Sequence, residues 1–129
     1  MTIPDDLRYT REHEWARRKG KNLAVGITEY AQDQLGDVVY LELPDVGDAV
    51  KKGESFGVVE STKAVSELFA PVSGKIVEVN DPLADAPETV NEDPYEEGWM
   101  VVIEPSDPAE LEALMDAKAY AAFLEEQEE

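Results

Sequence analysis

Lys63 is the only basic residue between Lys52 and Lys75, and it sits in Glu60-Ser61-Thr62-Lys63-Ala64 between two strand-like apolar runs. That placement predicts a hairpin tip, from which a lysine projects its primary amine away from the sheet. A modifying enzyme can grip such a turn and acylate the amine. Position alone does not separate Lys63 from an ordinary solvated lysine, because exposed lysines are the rule. The other candidates are few. Cysteine is absent, which excludes disulfides, thiolate metal sites and thiol nucleophiles together. His13 is the single histidine, so a multi-histidine metal site is excluded too, and any sulfur chemistry must come from a group attached to the chain. His13 and Glu14 are neighbours, and adjacent strand residues point to opposite faces, so they are not expected to form an acid–base dyad. With no nucleophile to complete such a dyad, His13 reads as a structural or surface residue. Trp15 and Trp99 read as core aromatics.

The chain has 129 residues and a net charge of -19, from 30 acidic and 11 basic residues. This length suits one domain, residues 1–129. The charge would repel a phosphate backbone or an anionic membrane, so nucleic acid is not an expected partner. The longest unbroken apolar run, Ala119 to Leu124, is too short to span a bilayer. Asp5 and Asp6 with no apolar core behind them are unlike a secretory signal. Six of the basic residues fall within residues 1–21, which leaves the rest of the chain strongly anionic. Such a body should be steered toward basic patches on partners. The acidic clusters Glu125-Glu126 and Glu128-Glu129 read as a solvated, frayed tail.

The elements that must position Lys63 are short strands joined by tight turns, the rhythm of an all-β domain. Glu14 to Arg18 and Leu23 to Ile27 flank Lys19-Gly20-Lys21-Asn22, a hairpin whose glycine supplies the positive φ of a tight turn. Thr28 caps a short helix through Leu35, with Gly36 where a left-handed residue is wanted. Val38 to Leu43 forms a strand that stops at Pro44. Val46 to Val50, Ser55 to Glu60, Val65 to Ala70 and Ser73 to Val79 build a small barrel or sandwich. Residues 82–94 hold three prolines and read as an irregular loop, and Trp99 to Ile103 resumes as a strand. Asp107 as cap, Pro108 at the first helical position and Glu110 in the capping-box position start one C-terminal helix. Its apolar face is Leu111, Leu114 and Met115. A second helix starts at Asp116 and carries Tyr120, Phe123 and Leu124.

The frame around Lys63 is Gly47-Asp48 and Gly53-Glu54 before it, then Ala70-Pro71 and Ser73-Gly74 after it. It resembles the lipoyl and biotinyl carrier domains, in which two similar sheets present a modified lysine on a β-turn. Thr62 and Ala64 stand where biotinyl domains usually carry methionine, so the lipoyl branch fits better. The resemblance then extends along almost the whole chain: His13-Glu14-Trp15, Gly26-Ile27-Thr28, Leu35-Gly36-Asp37-Val38-Val39, Leu43-Pro44, Val59 to Ala64, Ala70 to Gly74, Asn91-Glu92-Asp93-Pro94-Tyr95, Gly98-Trp99 and the C-terminal helices. Together these motifs resemble the H proteins of the glycine cleavage system.

The resemblance implies a mainly β, flattened barrel-sandwich with short peripheral helices, two of them C-terminal, and a carrier rather than an enzyme. Lys63 would hold lipoate in amide linkage, and Glu60, Ser61, Thr62 and Ala64 would form the turn that a lipoate ligase or lipoyl transferase reads. The implied partners are a pyridoxal-phosphate glycine decarboxylase, which loads an aminomethyl group on the lipoyl sulfur, a tetrahydrofolate-dependent aminomethyltransferase, and a dihydrolipoyl dehydrogenase. Glu14 and Glu67 match acidic residues proposed to face the loaded amine in a surface cleft, and Gln34 lies where some relatives have histidine. The missing cysteines fit, since a protein thiol could exchange with the lipoyl sulfurs. The expected location is a bacterial cytoplasm, with a mitochondrial matrix the lesser alternative. An H-like protein serving mainly as a lipoate acceptor and relay is a rival reading. An enzyme built on His13 and Glu14 would keep its activity in Lys63→Ala, and a plain interaction module would carry no modification at all.

Overall fold

The computed structural model describes residues 3–128. Among the described residues nine strands form two antiparallel sheets. The large sheet comprises β1 (Arg8–Tyr9), β2 (Glu14–Lys19), β3 (Asn22–Ile27), β5 (Ala49–Val50), β8 (Gly74–Val79) and β9 (Val101–Pro105). The small one comprises β4 (Val38–Glu42), β6 (Ser55–Ser61) and β7 (Val65–Phe69). The larger has the order β1-β2-β3-β9-β8-β5, and the smaller β4-β6-β7. The helices are α1 (Glu29–Leu35), α2 (Pro82–Asp85), α3 (Thr89–Glu92), α4 (Ala109–Glu112) and α5 (Ala117–Glu128). The expected mainly β, flattened two-sheet sandwich with short peripheral helices is what forms.

The core lies on both sides of the large sheet. Val101 and Ile103 of β9 face the small sheet, among Val59, Leu68 and Ile76. Val102 faces the other way, among Tyr9, Trp15, Tyr120 and Leu124. A strand covered on both faces carries an unbroken apolar run instead of alternation, which accounts for Val101-Val102-Ile103. α5 provides the second cover, with the Tyr9 and Tyr120 rings stacked 4.5 Å apart.

Local signals hold at several points. The first hairpin closes through a two-residue turn, Lys19 pairing with Asn22. Gly20 has φ 64, as the right-handed twist of the flanking strands requires. Thr28 caps α1 by accepting from the Ala31 N–H, and Gly36 ends it at φ 80. The Asp116 carboxylate accepts from the Ala119 N–H at the start of α5.

Other expectations are corrected. Residues 82–94 hold two one-turn helices, α2 and α3, each closed by local backbone bonds that composition does not reveal. The strand expected at Trp99 begins at Val101 and runs to Pro105, because the Trp99 N–H is used by the Glu96 carbonyl. Trp15 is fully buried, but Trp99 is only half-buried, with Lys19 over its ring. α4 begins at Ala109, one residue later than expected, with Pro108 at the boundary, while the Asp107 carboxylate caps it as expected, accepting from the Ala109 N–H at 3.1 Å. Glu110 does not reach back in a capping box. Its carboxylate accepts from the Ser73 N–H at 2.7 Å and the Ser73 hydroxyl at 3.3 Å, since the turn between β7 and β8 offers a donor that a one-turn helix does not. The acidic tail is helical through Glu128, with Glu129 outside the described residues. Good helix formers follow the Asp116 cap and extend that helix.

Candidate functional site

β6 and β7 pair as far as Glu60 opposite Val65, so Thr62, Lys63 and Ala64 protrude at the tip. The tip is tightly wired. The Ser61 N–H donates to the Ala64 carbonyl at 2.8 Å, and the Ser61 hydroxyl oxygen accepts from the N–H groups of Lys63 and Ala64 at 3.2 and 3.0 Å. A serine that gathers turn N–H groups in this way replaces the ladder bonds lost at the tip. From outside the hairpin, the Asp37 carbonyl accepts from the Thr62 N–H at 3.0 Å. The Lys63 stem lies against Gly36. A Cβ at that glycine would come within 2.8 Å of Lys63 Cε, so the end of α1 is left bare where the lysine crosses it. Among the described residues Lys63 makes no ion pair.

The Gly36-Asp37-Val38 corner that holds the tip is braced by Asn91 of α3. The Asn91 amide accepts from the Val38 N–H at 2.8 Å and donates to the Gly36 carbonyl at 2.8 Å and the Gln32 side-chain oxygen at 3.0 Å. Tyr95 completes the clamp, its hydroxyl accepting from the Glu29 N–H at 3.0 Å at the start of α1. Asn91, within the segment expected to be an irregular loop, and Tyr95, just beyond it, therefore fasten the two ends of the helix beside Lys63. Sequence reasoning found Asn91 and Tyr95 only as part of a resembling motif, because their partners are more than 50 residues away.

Between α1 and β7 lies a cleft of about 330 Å³ that brings together Glu14, Gln34 and Glu67, with Glu12, His13 and Tyr30 also on its wall and no lysine or arginine. Such a lining suits a cation. Glu14 is the buried member, 2% exposed. One of its oxygens accepts from the Thr10 hydroxyl at 2.5 Å, and the other from the Phe69 N–H at 3.2 Å. Burial pushes its carboxyl up to about 7, against the pull of those two donors. Gln34 and Glu67 are exposed at the rim. Lys63, Glu60, Ser61, Thr62 and Ala64 do not line the cleft and stay on the tip. A second cleft of about 270 Å³ shares Glu14 but adds Arg11 and Lys52 to its wall, which suits a cation less well.

His13 lines the first cleft beside Glu14, contrary to the expectation of opposite faces. The reason is that His13 precedes β2 and has φ 69, so strand alternation does not apply to it. Its Nδ1 lies 2.9 Å from the Tyr120 hydroxyl, which is 2.8 Å from the Thr28 hydroxyl. α5 is thereby tied to the cleft wall and to the cap of α1.

A flattened two-sheet sandwich that presents one unpaired lysine on a wired turn, beside an acidic cleft, has the build of a small carrier domain of the lipoyl type. A family model described as Glycine cleavage H-protein matches residues 7–127. The chain belongs to that family. It is 82% identical over 128 residues to the glycine cleavage system H protein of Anaeromyxobacter sp. (strain K), covering 99% of this chain and 100% of that one. It is 63% identical to the protein of the same name from Myxococcus xanthus, over 95% of each. The crystal structure of the Mycobacterium marinum glycine cleavage system H protein superposes with a TM-score of 0.86 at 45% identity, covering 93% of this chain and 97% of that one. No helix among the described residues is long and apolar enough to cross a membrane.

Proposed function

We propose that this chain is the non-catalytic lipoyl carrier of a bacterial, cytoplasmic glycine cleavage system, with lipoate in amide linkage to Lys63. The observation that carries the reading is the tip itself, a turn hydrogen-bonded at Ser61, Thr62, Lys63 and Ala64 while the Lys63 amine has no carboxylate partner among the described residues. When bound, lipoate supplies a sulfur that accepts, carries and gives up the aminomethyl group of glycine, and a dithiol that can be reoxidised. The partners that act on it are the glycine decarboxylase, the aminomethyltransferase and the dihydrolipoyl dehydrogenase, after a lipoate ligase or lipoyl transferase has modified Lys63. A tether keeps the group at high effective concentration at each partner in turn.

The residues present fit such a group. Lys63 on the turn and Glu67 on β7 lie four residues apart, at most about 13 Å along an extended backbone. A lysine stem bearing an eight-carbon acyl chain reaches roughly 14 Å when extended, so its end can enter the cleft. There Glu14 and Glu67 would face a positive charge, with Glu14 inside a partly desolvated wall where attraction exceeds that in water. Gln34 would offer a neutral hydrogen-bonding group at the rim. Glu60, Ser61, Thr62 and Ala64 hold the tip in one shape for a modifying enzyme. The test is intact mass with peptide mapping after incubation with a lipoate ligase, ATP and lipoate. One lipoyl addition is expected, on Lys63 and absent from Lys63→Arg; a parent chain left unmodified would reject the reading.

A further inference from the structure

Across the small sheet, Tyr40, Glu60 and Val65 stand in one row, Tyr40 opposite Glu60 and Glu60 opposite Val65. Directly paired strand residues share a face. Leu41 and Val59, one residue on, are buried, so this row is on the outer face. Tyr40 is 50% exposed, Val65 is 67% exposed, and Val39, at the irregularity between Val38 and Tyr40, is 54% exposed. These are three of the four large apolar side chains most exposed among the described residues, and all three lie beside the Lys63 turn. The next row is Glu42, Val58 and Glu67. The patch is therefore apolar and edged by Glu42, Glu60 and Glu67, with the Lys63 turn next to Val65 along the chain.

We propose that Val39, Tyr40 and Val65, edged by Glu42 and Glu60, form the surface on which the enzyme that acylates Lys63 docks, through an apolar socket rimmed by arginine or lysine. The proposal rests on Lys63 being the acylated residue. Two arguments select this occupant. An unmodified lysine reaches only about 6 Å from its Cα to its nitrogen, so an enzyme attacking the bare amine must close on the turn and cover what flanks it. A loaded arm reaches roughly 14 Å, so partners that act on its far end are not obliged to close so tightly on the turn. The second argument is charge, since a partly buried apolar contact ringed by carboxylates is matched by a cationic rim. In the reaction served, the Lys63 amine loses a proton, its nitrogen forms the amide bond to the carbonyl carbon of a lipoyl adenylate, and that carbon's bond to the adenylate phosphate oxygen breaks.

The experiment measures acylation of the unmodified chain by a lipoate ligase with ATP and lipoate, varying chain concentration, together with direct binding of ligase and unmodified chain by calorimetry. Tyr40→Ser with Val65→Ser is expected to raise KM and Kd about tenfold with kcat within twofold. Glu42→Lys is expected to raise both severalfold, less at high salt. Val46→Ser, an exposed valine beyond the far end of β4, is expected to change neither. Unchanged KM and Kd in the double variant while the parent is acylated on Lys63 would overturn the docking surface and leave the carrier reading intact. A loss confined to kcat would also overturn it, because that marks a distorted turn. No acylation of the parent on Lys63 would reject the carrier reading itself.

Discussion

The molecule presents lysines on two hairpin tips, and they are held in opposite ways. On the β2–β3 tip, Lys19 lies 3.2 Å from Glu78 and over the Trp99 ring, and Lys21 lies 3.5 Å from Glu104. Its backbone needs little outside help, because a glycine makes the turn. On the β6–β7 tip the arrangement is inverted. Ser61, Asp37 and, behind them, Asn91 secure the backbone, while the Lys63 amine has no ion-pair partner among the described residues. A lysine engaged by carboxylates is held as a cation, whereas one meant to be acylated is better left without such a partner on a rigid support. The chemistry of a tip therefore depends less on the lysine than on what its neighbours leave undone.

That contrast can be broken from the side of the support. Asn91→Ala removes three hydrogen bonds and leaves the Val38 N–H and Gly36 carbonyl without their side-chain partner. The expected loss is roughly 3–4 kcal/mol, with slower Lys63 acylation; urea titration and acylation rates check both. A smaller effect is expected at the cleft beside the same tip. The Glu14 carboxyl is raised to about 7 from an ordinary 4.5. Between those values the folded chain keeps a proton that the unfolded chain releases, so stability falls as pH rises through the window, by at most about 3 kcal/mol. Glu14→Gln is expected to remove that slope in urea titrations from pH 4 to 8, and a slope of the same size in the variant would exclude Glu14 as its source. The smallest effect is expected at the other tip. Both Lys19 and Glu78 are about half exposed, so Lys19→Ala should change stability by under about 0.5 kcal/mol.

The two tips also differ in how far the sequence disclosed them. The β2–β3 turn, the Thr28 cap, the Gly36 stop and the Asp116 cap are decided within a few residues, and local patterns reached them. The support of Lys63 is decided across the chain: Asn91 acts on a corner 53 residues earlier, and Glu14 is buried against the Phe69 N–H 55 residues later. No local pattern announces such pairs. The same holds for β1, which exists because Tyr9 pairs with Trp15 and bridges to Met115. Glu110 was misread because its capping position was visible and its Ser73 partner was not. His13 was misread because strand alternation was extended one residue past the start of β2. Glu14, Gln34 and Glu67 were reached through family resemblance, and the structure gathers all three in one cleft.

The free amine on the protruding tip has a consequence for proteolysis. Exposed loop tips are preferred sites of nicking, and a trypsin-like protease requires a cation at the residue it cuts after. Acylation of Lys63 takes that charge away, moving the net charge from -19 one step more negative, and leaves no basic residue between Lys52 and Lys75. The hydrogen bonds that wire the tip must open before a protease can seat it, so slow cutting after Lys63 is expected in the unmodified chain and none there in the acylated one, which a timed digest followed by mass checks. Attachment of the arm would then remove a cleavage site from the tip as well as load it.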